Sequence, residues 1–391
     1  MGSILIKGVL VDGQARNVLI EGQRFKCLDA ADGAVAETVI DGRGKALLPG
    51  LYNTHTHAPM TLLRGYGDDT PLEEWLNRYI WPKEAEFGEK DFRRGYDIAT
   101  REMVRTGTVF FNEMYFSFQE AVDAVVASGQ RACIGLVVLD GHPHSMSEAA
   151  FGFLDDWRDP TGGRIQLAVA PHALYTVSKN TLLWSAHFAR KHGLRIHTHL
   201  AETRTEVENC VRAHGMRPVA YLDSLGLLGP DTVVAHCVQV NPEEADLLAE
   251  RQVTISHCPC SNMKLGSGIF PYERLIRAGC RITLGTDGAS SSNNLDLREA
   301  MKFAALLAKV GGDPQLLPAS QVLEWATVRG AEAFGIDAGV IAEGKLADCI
   351  LVDLDNVKMQ PCHNLVSNFV YSADSSCIAA VLCDGKIIYQ R

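Results

Sequence analysis

The sequence has little of what a nucleic-acid-binding or membrane-spanning protein needs. Its formal net charge is −10, and lysine and arginine form no visible basic run. Because nucleic acids and anionic membranes both bind basic faces, we expect neither as the main partner. No apolar run reaches the roughly 20 residues that cross a bilayer, and residues 1–7 lack the basic and then apolar order of a secretion signal. The sequence therefore predicts a cytoplasmic protein.

Cysteine pairs and phosphate-binding glycine motifs are also missing. The 11 cysteines are scattered, and none forms a C-x-x-C pair, so the chain predicts reduced thiols rather than a disulfide framework. Neither G-x-G-x-x-G nor G-x-x-x-x-G-K-[ST] occurs. An open, doubly wound sheet normally carries such a turn after a strand. The absence of both motifs therefore disfavours that fold.

What is present is a repeated alternation of apolar, strand-like segments with amphipathic, helix-like segments. Such alternation indicates a parallel sheet built from βα units. The eight candidate strands are residues 48–55, 108–113, 132–139, 165–171, 194–200, 232–237, 253–257 and 281–286. The helical stretches between them include residues 118–128, 179–192, 242–250 and 295–309. Eight such units match a (β/α)₈ TIM barrel, which we assign to residues 49–341 as the catalytic domain.

The two ends of the chain have short strand-like segments separated by glycine turns. Residues 3–11 and 17–22 show this pattern near the start, and residues 344–353 and 378–389 show it near the end. Neither end has enough strands to bury a face by itself. We therefore predict that residues 1–48 and 342–391 pair into one small β-sandwich domain, which gives an α/β fold with the barrel as its larger part.

Polar residues stand where six of the eight candidate strands end, and that rim carries the active site in such barrels. His55 and His57 are one strand step apart, so their side chains face the same way. The other polar strand ends are Pro171-His172, His197 to Glu202, Ala235-His236, Ser256-His257 and Thr286-Asp287. Core packing alone does not explain so many polar residues on one rim.

A metal site and a proton carrier can be built from this rim. Zinc prefers imidazole nitrogens and a carboxylate oxygen, and that set is supplied by His55, His57, His199 and Asp287. Glu202 follows the fifth strand, and we interpret it as a general acid and base; the alternative is a surface glutamate. His236 is interpreted as a residue that holds or polarises a metal-bound water, and the alternative is a core histidine.

Longer stretches of the chain resemble the amidohydrolase superfamily, and within it the 5-methylthioadenosine/S-adenosylhomocysteine deaminases. They include residues 48–65, 80–84, 197–203, 256–268 and 284–288. The resemblance implies one divalent metal per subunit, zinc with iron as the alternative, at the four positions named above. It also implies catalytic roles for Glu202 and His236, and we expect Asp287 to act with His236 in orienting the attacking hydroxide and taking up its proton.

The same resemblance implies which residues face the substrate. Glu84 would hold the ribose hydroxyls, and His172 would contact the purine nucleoside. Trp75 and Trp81 are candidate apolar walls, with ordinary helix packing as the alternative. The resemblance further implies a small-molecule substrate and a homo-oligomer.

The predicted activity is the hydrolytic deamination of adenosine-type nucleosides to an inosine-type product and ammonia. The candidate substrates are 5-methylthioadenosine, 5′-deoxyadenosine, adenosine and S-adenosylhomocysteine. No lysine or arginine occurs between Arg131 and Arg158, and Leu136 stands about where an arginine would pair with the carboxylate of S-adenosylhomocysteine. Because an unpaired buried carboxylate is costly, we favour neutral 5′ groups. The alternatives are a hydrolase of guanine, pterin or triazine rings and a metal-binding homologue without catalysis.

Overall fold

The computed structural model describes residues Gly2–Arg391, and its strands fall into two sheets of eight. The strands are β1 Ser3–Val11, β2 Gln14–Glu21, β3 Arg24–Cys27, β4 Thr38–Asp41, β5 Lys45–Pro49, β6 Leu51–Thr56, β7 Thr108–Glu113, β8 Arg131–Val138, β9 Ile165–Pro171, β10 Arg195–Leu200, β11 Thr232–His236, β12 Thr254–His257, β13 Arg281–Leu284, β14 Cys349–Asp353, β15 Ile378–Cys383 and β16 Lys386–Gln390.

Helices follow most strands from β6 onward. The α-helices are α1 Leu72–Glu74, α2 Trp81–Glu84, α3 Glu89–Arg105, α4 Phe118–Ser128, α5 Lys179–Lys191, α6 Arg204–His214, α7 Pro218–Ser224, α8 Pro242–Glu250, α9 Pro259–Lys264, α10 Tyr272–Arg277, α11 Ala289–Ser292, α12 Leu297–Leu307, α13 Ala319–Ala326, α14 Val328–Ala333 and α15 Leu365–Tyr371. Short 3₁₀ turns cover Ala58–Leu63, Glu148–Asp155, Val357–Met359 and Ser375–Cys377, and Trp75–Ile80 is a π-helix. None of the helices in the described part of the chain is long and apolar enough to cross a membrane.

Strands β6 to β13 form the barrel. They lie in chain order and pair in parallel throughout. The barrel closes between its last and first strands, where the backbone N–H of Asp287 donates to the carbonyl of His55 at 3.0 Å. Almost every residue of these strands is buried, as expected for a parallel sheet covered by helices. The predicted (β/α)₈ barrel is confirmed.

The other sheet is mixed and draws strands from both chain ends, in the order β16-β15-β14-β5-β1-β2-β3, with β4 paired to β1. The join between the two ends is the antiparallel pair of β5 and β14, in which Leu48 lies opposite Ile350. The predicted first barrel strand, 48–55, was therefore partly wrong. Its first two residues belong to β5, and the chain changes sheets at Gly50. The domain division at residues 48/49 and 341/342 stays a prediction.

A buried ionic cluster joins the base of the barrel to this terminal sheet. Arg131, at the start of β8, donates from Nε to Asp348 at 2.8 Å and from Nη2 to Asp384 at 2.6 Å. The hydroxyl of Tyr52 donates to Asp348 at 2.9 Å, and Gln23 donates to Asp384 at 2.9 Å. The charged side chains are at most 7% exposed. We call these five residues the base cluster.

Candidate metal centre and active site

The four predicted metal ligands meet at the C-terminal rim of the barrel. The Nε2 atom of His57 lies 3.3 Å from that of His199 and 3.3 Å from Asp287 Oδ1, and His55 Nε2 lies 3.5 Å from the same oxygen. The histidine triad and the trio of His55, His236 and Asp287 each bring their ligand atoms within 4.8 Å of one another. One cation in contact with all four side chains requires atoms this close together.

Hydrogen bonds at the far ring nitrogens orient these histidines. Nδ1 of His57 donates to the carbonyl of Met114 at 2.5 Å, and Nδ1 of His199 donates to the carbonyl of His172 at 2.6 Å. In a neutral ring this leaves the lone pair on Nε2, which faces the site. His55 Nε2 is buried without any hydrogen-bond partner among the described residues. An unpartnered buried nitrogen of this kind fits the role of a metal ligand.

Burial sets the charge of the ligands. It lowers the pKa of His55 to about 4, and it lowers the pKa of His57 and His199 below the usual histidine range. Burial opposes ionisation of Asp287, but the facing imidazoles of His55, His57 and His236 outweigh it, so the pKa of this carboxyl lies well below its usual value. The site thus offers neutral imidazoles and one carboxylate, the protonation states that bind a divalent cation.

Glu202 and His236 lie beside the four predicted metal ligands. Glu202 Oε2 is 3.9 Å from His236 Nε2, and Ser267 donates to Glu202 Oε1 at 3.3 Å. His236 donates from Nδ1 to Asn262 at 2.8 Å, so its Nε2 points toward Glu202 and Asp287. Burial raises the pKa of Glu202. A buried carboxyl with a raised pKa suits a group that must both give and take a proton near neutral pH.

The chain turns sharply at the C-terminal ends of β10, β11 and β13, the strands that lead to these side chains. Ala201, His236 and Asp287 all have positive φ, at 49°, 75° and 62°. Non-glycine residues in this region carry about 1–3 kcal/mol of strain each and cluster at active sites. The strained turns aim the side chains that follow the strands into the barrel mouth.

Sequence reasoning missed Glu206, a buried residue that holds one of these turns. Its carboxylate accepts the backbone N–H of Ala201 and of Glu202, both at 2.8 Å. Thr203 caps helix α6 by accepting from the N–H of Glu206 at 3.1 Å. The signal was visible as Thr203-x-x-Glu206, a helix-start pattern. In the usual form of that pattern the glutamate reaches back to the capping residue, whereas Glu206 reaches the two residues that precede Thr203.

Glu113 also holds a backbone turn through its carboxylate, here beside His57. Sequence reasoning assigned no role to this residue. Its carboxylate accepts the N–H of Ala58 at 3.0 and 3.1 Å. The adjacent carbonyl, that of Met114, accepts from His57. Glu113 and its neighbour therefore fix both the backbone and the ring of one predicted metal ligand.

The predicted substrate-facing residues line one cavity with the metal ligands. Trp75, Trp81, Glu84 and His172 all contribute to its wall, as do His57, His199, Glu202, His236 and Asp287. Glu84 is buried and accepts a hydrogen bond from the hydroxyl of Tyr115 at 2.5 Å. Burial raises the pKa of Glu84 to about 7. Tyr115 was not among the predicted residues, because its position after β7 carried no motif.

The prediction that Leu136 stands where an arginine would pair with a substrate carboxylate was wrong, because Leu136 does not line this cavity. It lies in the barrel core, and the cavity is lined instead by Val137 and Leu139. Successive side chains of β8 alternate faces, so an error of one residue moves the side chain to the other side of the strand. A second, outer cavity adjoins this one and shares Trp81, Leu139 and Tyr175 with it. No lysine or arginine of the described chain lines either cavity.

Comparisons with known proteins agree with this geometry. Residues 46–388 match the model of the Amidohydrolase family. The chain is 45% identical to the 5′-deoxyadenosine deaminase of Methanothermobacter thermautotrophicus, over 99% of this chain and 93% of that protein. It is 42% identical to the 5-methylthioadenosine/S-adenosylhomocysteine deaminase of Moorella thermoacetica, over 100% of this chain and 95% of that protein.

A solved structure is similar over nearly the whole chain. It is an adenosine deaminase from Xanthomonas campestris with bound zinc, which superimposes with a TM-score of 0.92 at 36% identity and covers 98% of this chain and 92% of that one. The match to the family model and the two relatives above 40% identity extend over both sheets. The chain belongs to the amidohydrolase family, and the mouth of its barrel carries a cluster of histidine and aspartate side chains that could hold a divalent metal ion.

Proposed function

We propose that this protein is a zinc-dependent hydrolase that deaminates adenosine-type nucleosides bearing a small, uncharged 5′ group. The observation that carries the proposal is one cavity lined by three of the four predicted metal ligands, His57, His199 and Asp287, together with the buried carboxyl groups of Glu202 and Glu84. Relatives named for 5′-deoxyadenosine and 5-methylthioadenosine support the nucleoside class. The bound zinc of the Xanthomonas campestris adenosine deaminase supports the choice of metal.

His55, His57, His199 and Asp287 would hold the metal. When bound, the metal supplies Lewis acidity that lowers the pKa of a water molecule toward about 7. His236 Nε2 is the ring nitrogen that forms a hydrogen bond with the attacking water, because Nδ1 is already bonded to Asn262. This bond orients the water oxygen toward C6 of the adenine ring.

Glu202 moves the protons. Its carboxyl delivers a proton to N1 of the ring as the C6–O bond forms, and it recovers a proton from the water. Glu202 passes the recovered proton to the amino group, the C6–N bond breaks and ammonia leaves. The remaining proton of the C6 hydroxyl returns to Glu202 as the C6=O bond forms. The balance is one water consumed, with one inosine-type product and one ammonia released.

Glu84 and the cavity wall select the substrate. Glu84 accepts from the ribose hydroxyls, while Trp75 and Trp81 provide apolar surface on either side of the nucleoside. The outer cavity shares Trp81, Leu139 and Tyr175 with the inner one. Because it offers no arginine or lysine, an amino-acid carboxylate there would be buried without a countercharge.

The test is ammonia release from a substrate panel with and without a chelator. The panel is adenosine, 5-methylthioadenosine, 5′-deoxyadenosine, S-adenosylhomocysteine, guanine and cytosine. We expect 5-methylthioadenosine or 5′-deoxyadenosine to give the highest kcat/KM, and we expect the chelated protein to regain activity with zinc. A kcat/KM for S-adenosylhomocysteine well above that for 5-methylthioadenosine would contradict the 5′ selectivity. Turnover of guanine but of no nucleoside would overturn the proposal.

A further inference from the structure

His142 is a partly buried histidine that the proposed reaction does not use. It lies in the loop after β8, and its side chain is 6% exposed. Its ring stacks face to face on Phe116, with centroids 4.4 Å apart and planes within 5°. Phe116 lines the inner cavity, and His142 lines the adjoining outer one. The ring is therefore held rigidly at the junction of the two cavities.

The proton of this ring can be assigned from its neighbours. Nδ1 of His142 accepts the backbone N–H of His144 at 3.3 Å. Burial, with the nearby His144, lowers the pKa of His142 to about 4, so the ring is neutral at pH 7. A neutral imidazole whose Nδ1 accepts a hydrogen bond carries its proton on Nε2.

That Nε2–H donor has no partner in the described part of the chain. The facing carboxylate oxygen, Glu84 Oε2, is 4.0 Å away, which is too far for a direct hydrogen bond. The other oxygen of Glu84 already accepts from Tyr115. A buried donor and a buried acceptor thus face each other with a gap that one oxygen atom can bridge, at about 2.8 Å from each.

We propose that His142 is a second sugar-recognition residue, which donates from Nε2 to a ribose hydroxyl whose own proton is donated to Glu84. The inference rests on the proposed function, because it needs a nucleoside in the cavity. A ribose hydroxyl is at once an acceptor and a donor, which is what the gap requires. A free base offers neither in this place and would leave both groups unpaired, so the pair selects nucleosides over bases.

The test is a substrate-by-variant cycle. His142→Phe keeps a ring that can stack on Phe116 and removes the donor. The substrates are adenosine, 2′-deoxyadenosine and 3′-deoxyadenosine. In the unmodified protein we expect one deoxy analogue to lose about 10-fold to 100-fold in kcat/KM, mostly through KM. In His142→Phe, adenosine should lose about as much, and the penalty for that same analogue should shrink to a few-fold at most.

Two further variants make the result specific. His142→Gln keeps an N–H donor on a flexible chain and should recover part of the loss for adenosine. His214→Phe is the matched control, since His214 stacks on Tyr221 in the same way, at 3.9 Å and 6°, and does not line the cavity. It should leave all three substrates unchanged. If His142→Phe does not fold, His142→Asn, which is too short to span the gap, takes its place in the cycle.

The outcomes separate this inference from the proposed function. If the unmodified protein releases no ammonia from any nucleoside, the proposed function fails. If it is active but His142→Phe lowers kcat/KM by the same factor for all three nucleosides, only the role of His142 is overturned. The same holds if neither deoxy analogue is impaired in the unmodified protein.

Discussion

Two buried polar clusters lie at opposite ends of the same barrel, and they differ in how completely their atoms are paired. In the base cluster, Arg131 binds Asp348 and Asp384, and the two carboxylates also accept from Tyr52, Gln23 and the backbone N–H of Asp384. In the rim cluster, formed by the predicted metal ligands with Glu202 and His236, His55 Nε2 has no partner among residues 2–391. His236 Nε2 faces two carboxylates at 3.9 and 4.0 Å without a hydrogen bond to either.

The comparison shows that burial of charge does not by itself mark a functional site. Both clusters contain ionisable side chains that are almost wholly buried. The base cluster is satisfied internally, which is what a structural junction between two sheets requires. In the rim cluster, several polar atoms are left unpaired and can contact a cation, a water molecule or a substrate. Three of its backbone turns are strained. Unpaired polar groups together with backbone strain distinguish the rim cluster, the candidate active site, from the base cluster, which is a structural junction.

The largest expected effect is at the rim, from Glu202→Gln. The amide keeps the shape of the side chain but cannot deliver and recover a proton. We expect kcat to fall by about two to four orders of magnitude, with the bound metal and the melting temperature nearly unchanged. Ammonia release, metal analysis and thermal unfolding measure the three quantities. Near-normal turnover in this variant would refute the role of Glu202.

The base cluster should respond in the opposite way. Arg131→Met removes the cation and leaves Asp348 and Asp384 buried without a countercharge. We expect a loss of about 3–5 kcal/mol in the free energy of unfolding, with kcat per folded molecule close to that of the unmodified protein. Denaturant unfolding and ammonia release below the melting temperature test this. A large loss of kcat with unchanged stability would mean that the base cluster is coupled to the chemistry.

Glu206 is expected to show a smaller effect of both kinds, since it is fully paired but adjoins the rim. Glu206→Gln replaces one acceptor with an N–H₂ group that faces a backbone donor. We expect a stability loss of about 1–3 kcal/mol and a decrease in kcat of about tenfold, with KM little changed, because the Glu202 turn shifts.

Glu244→Gln is the control for Glu206. Glu244 stands at the same position of the next helix but one, α8, where its carboxylate accepts the N–H of Asn241 at 3.1 Å and pairs with Arg217. This variant should lose stability without the tenfold loss in kcat. If both variants lower kcat equally, Glu206 has no special part in positioning Glu202.

Much of the rim could be predicted because the position of a residue in a strand determines the direction in which its side chain points. The spacing of His55 and His57 places both on one side of β6, and the polar residues that end the later strands meet at one rim because the strands are parallel. The barrel strands β7 and β9 and the helices α4 and α8 have the predicted bounds. These elements are determined by local pattern.

What could not be predicted depends on contacts between distant segments. Glu206 and His142 acquire their roles from backbone groups and a carboxylate whose positions only the folded chain defines. Leu136 was misplaced because counting residues along a strand does not say which face is which until one contact is known. The first barrel strand was started too early because Leu47 and Leu48 are as apolar as Leu51, and only pairing with β14 assigns them to the other sheet.

The most direct test of the account is an anomalous-scattering map collected at the zinc edge from crystals of protein that releases ammonia. The account predicts one strong peak per chain, about 2.0–2.2 Å from Nε2 of His55, His57 and His199 and from a carboxylate oxygen of Asp287. A map from active protein with no peak there, or with its metal bound elsewhere, would contradict it.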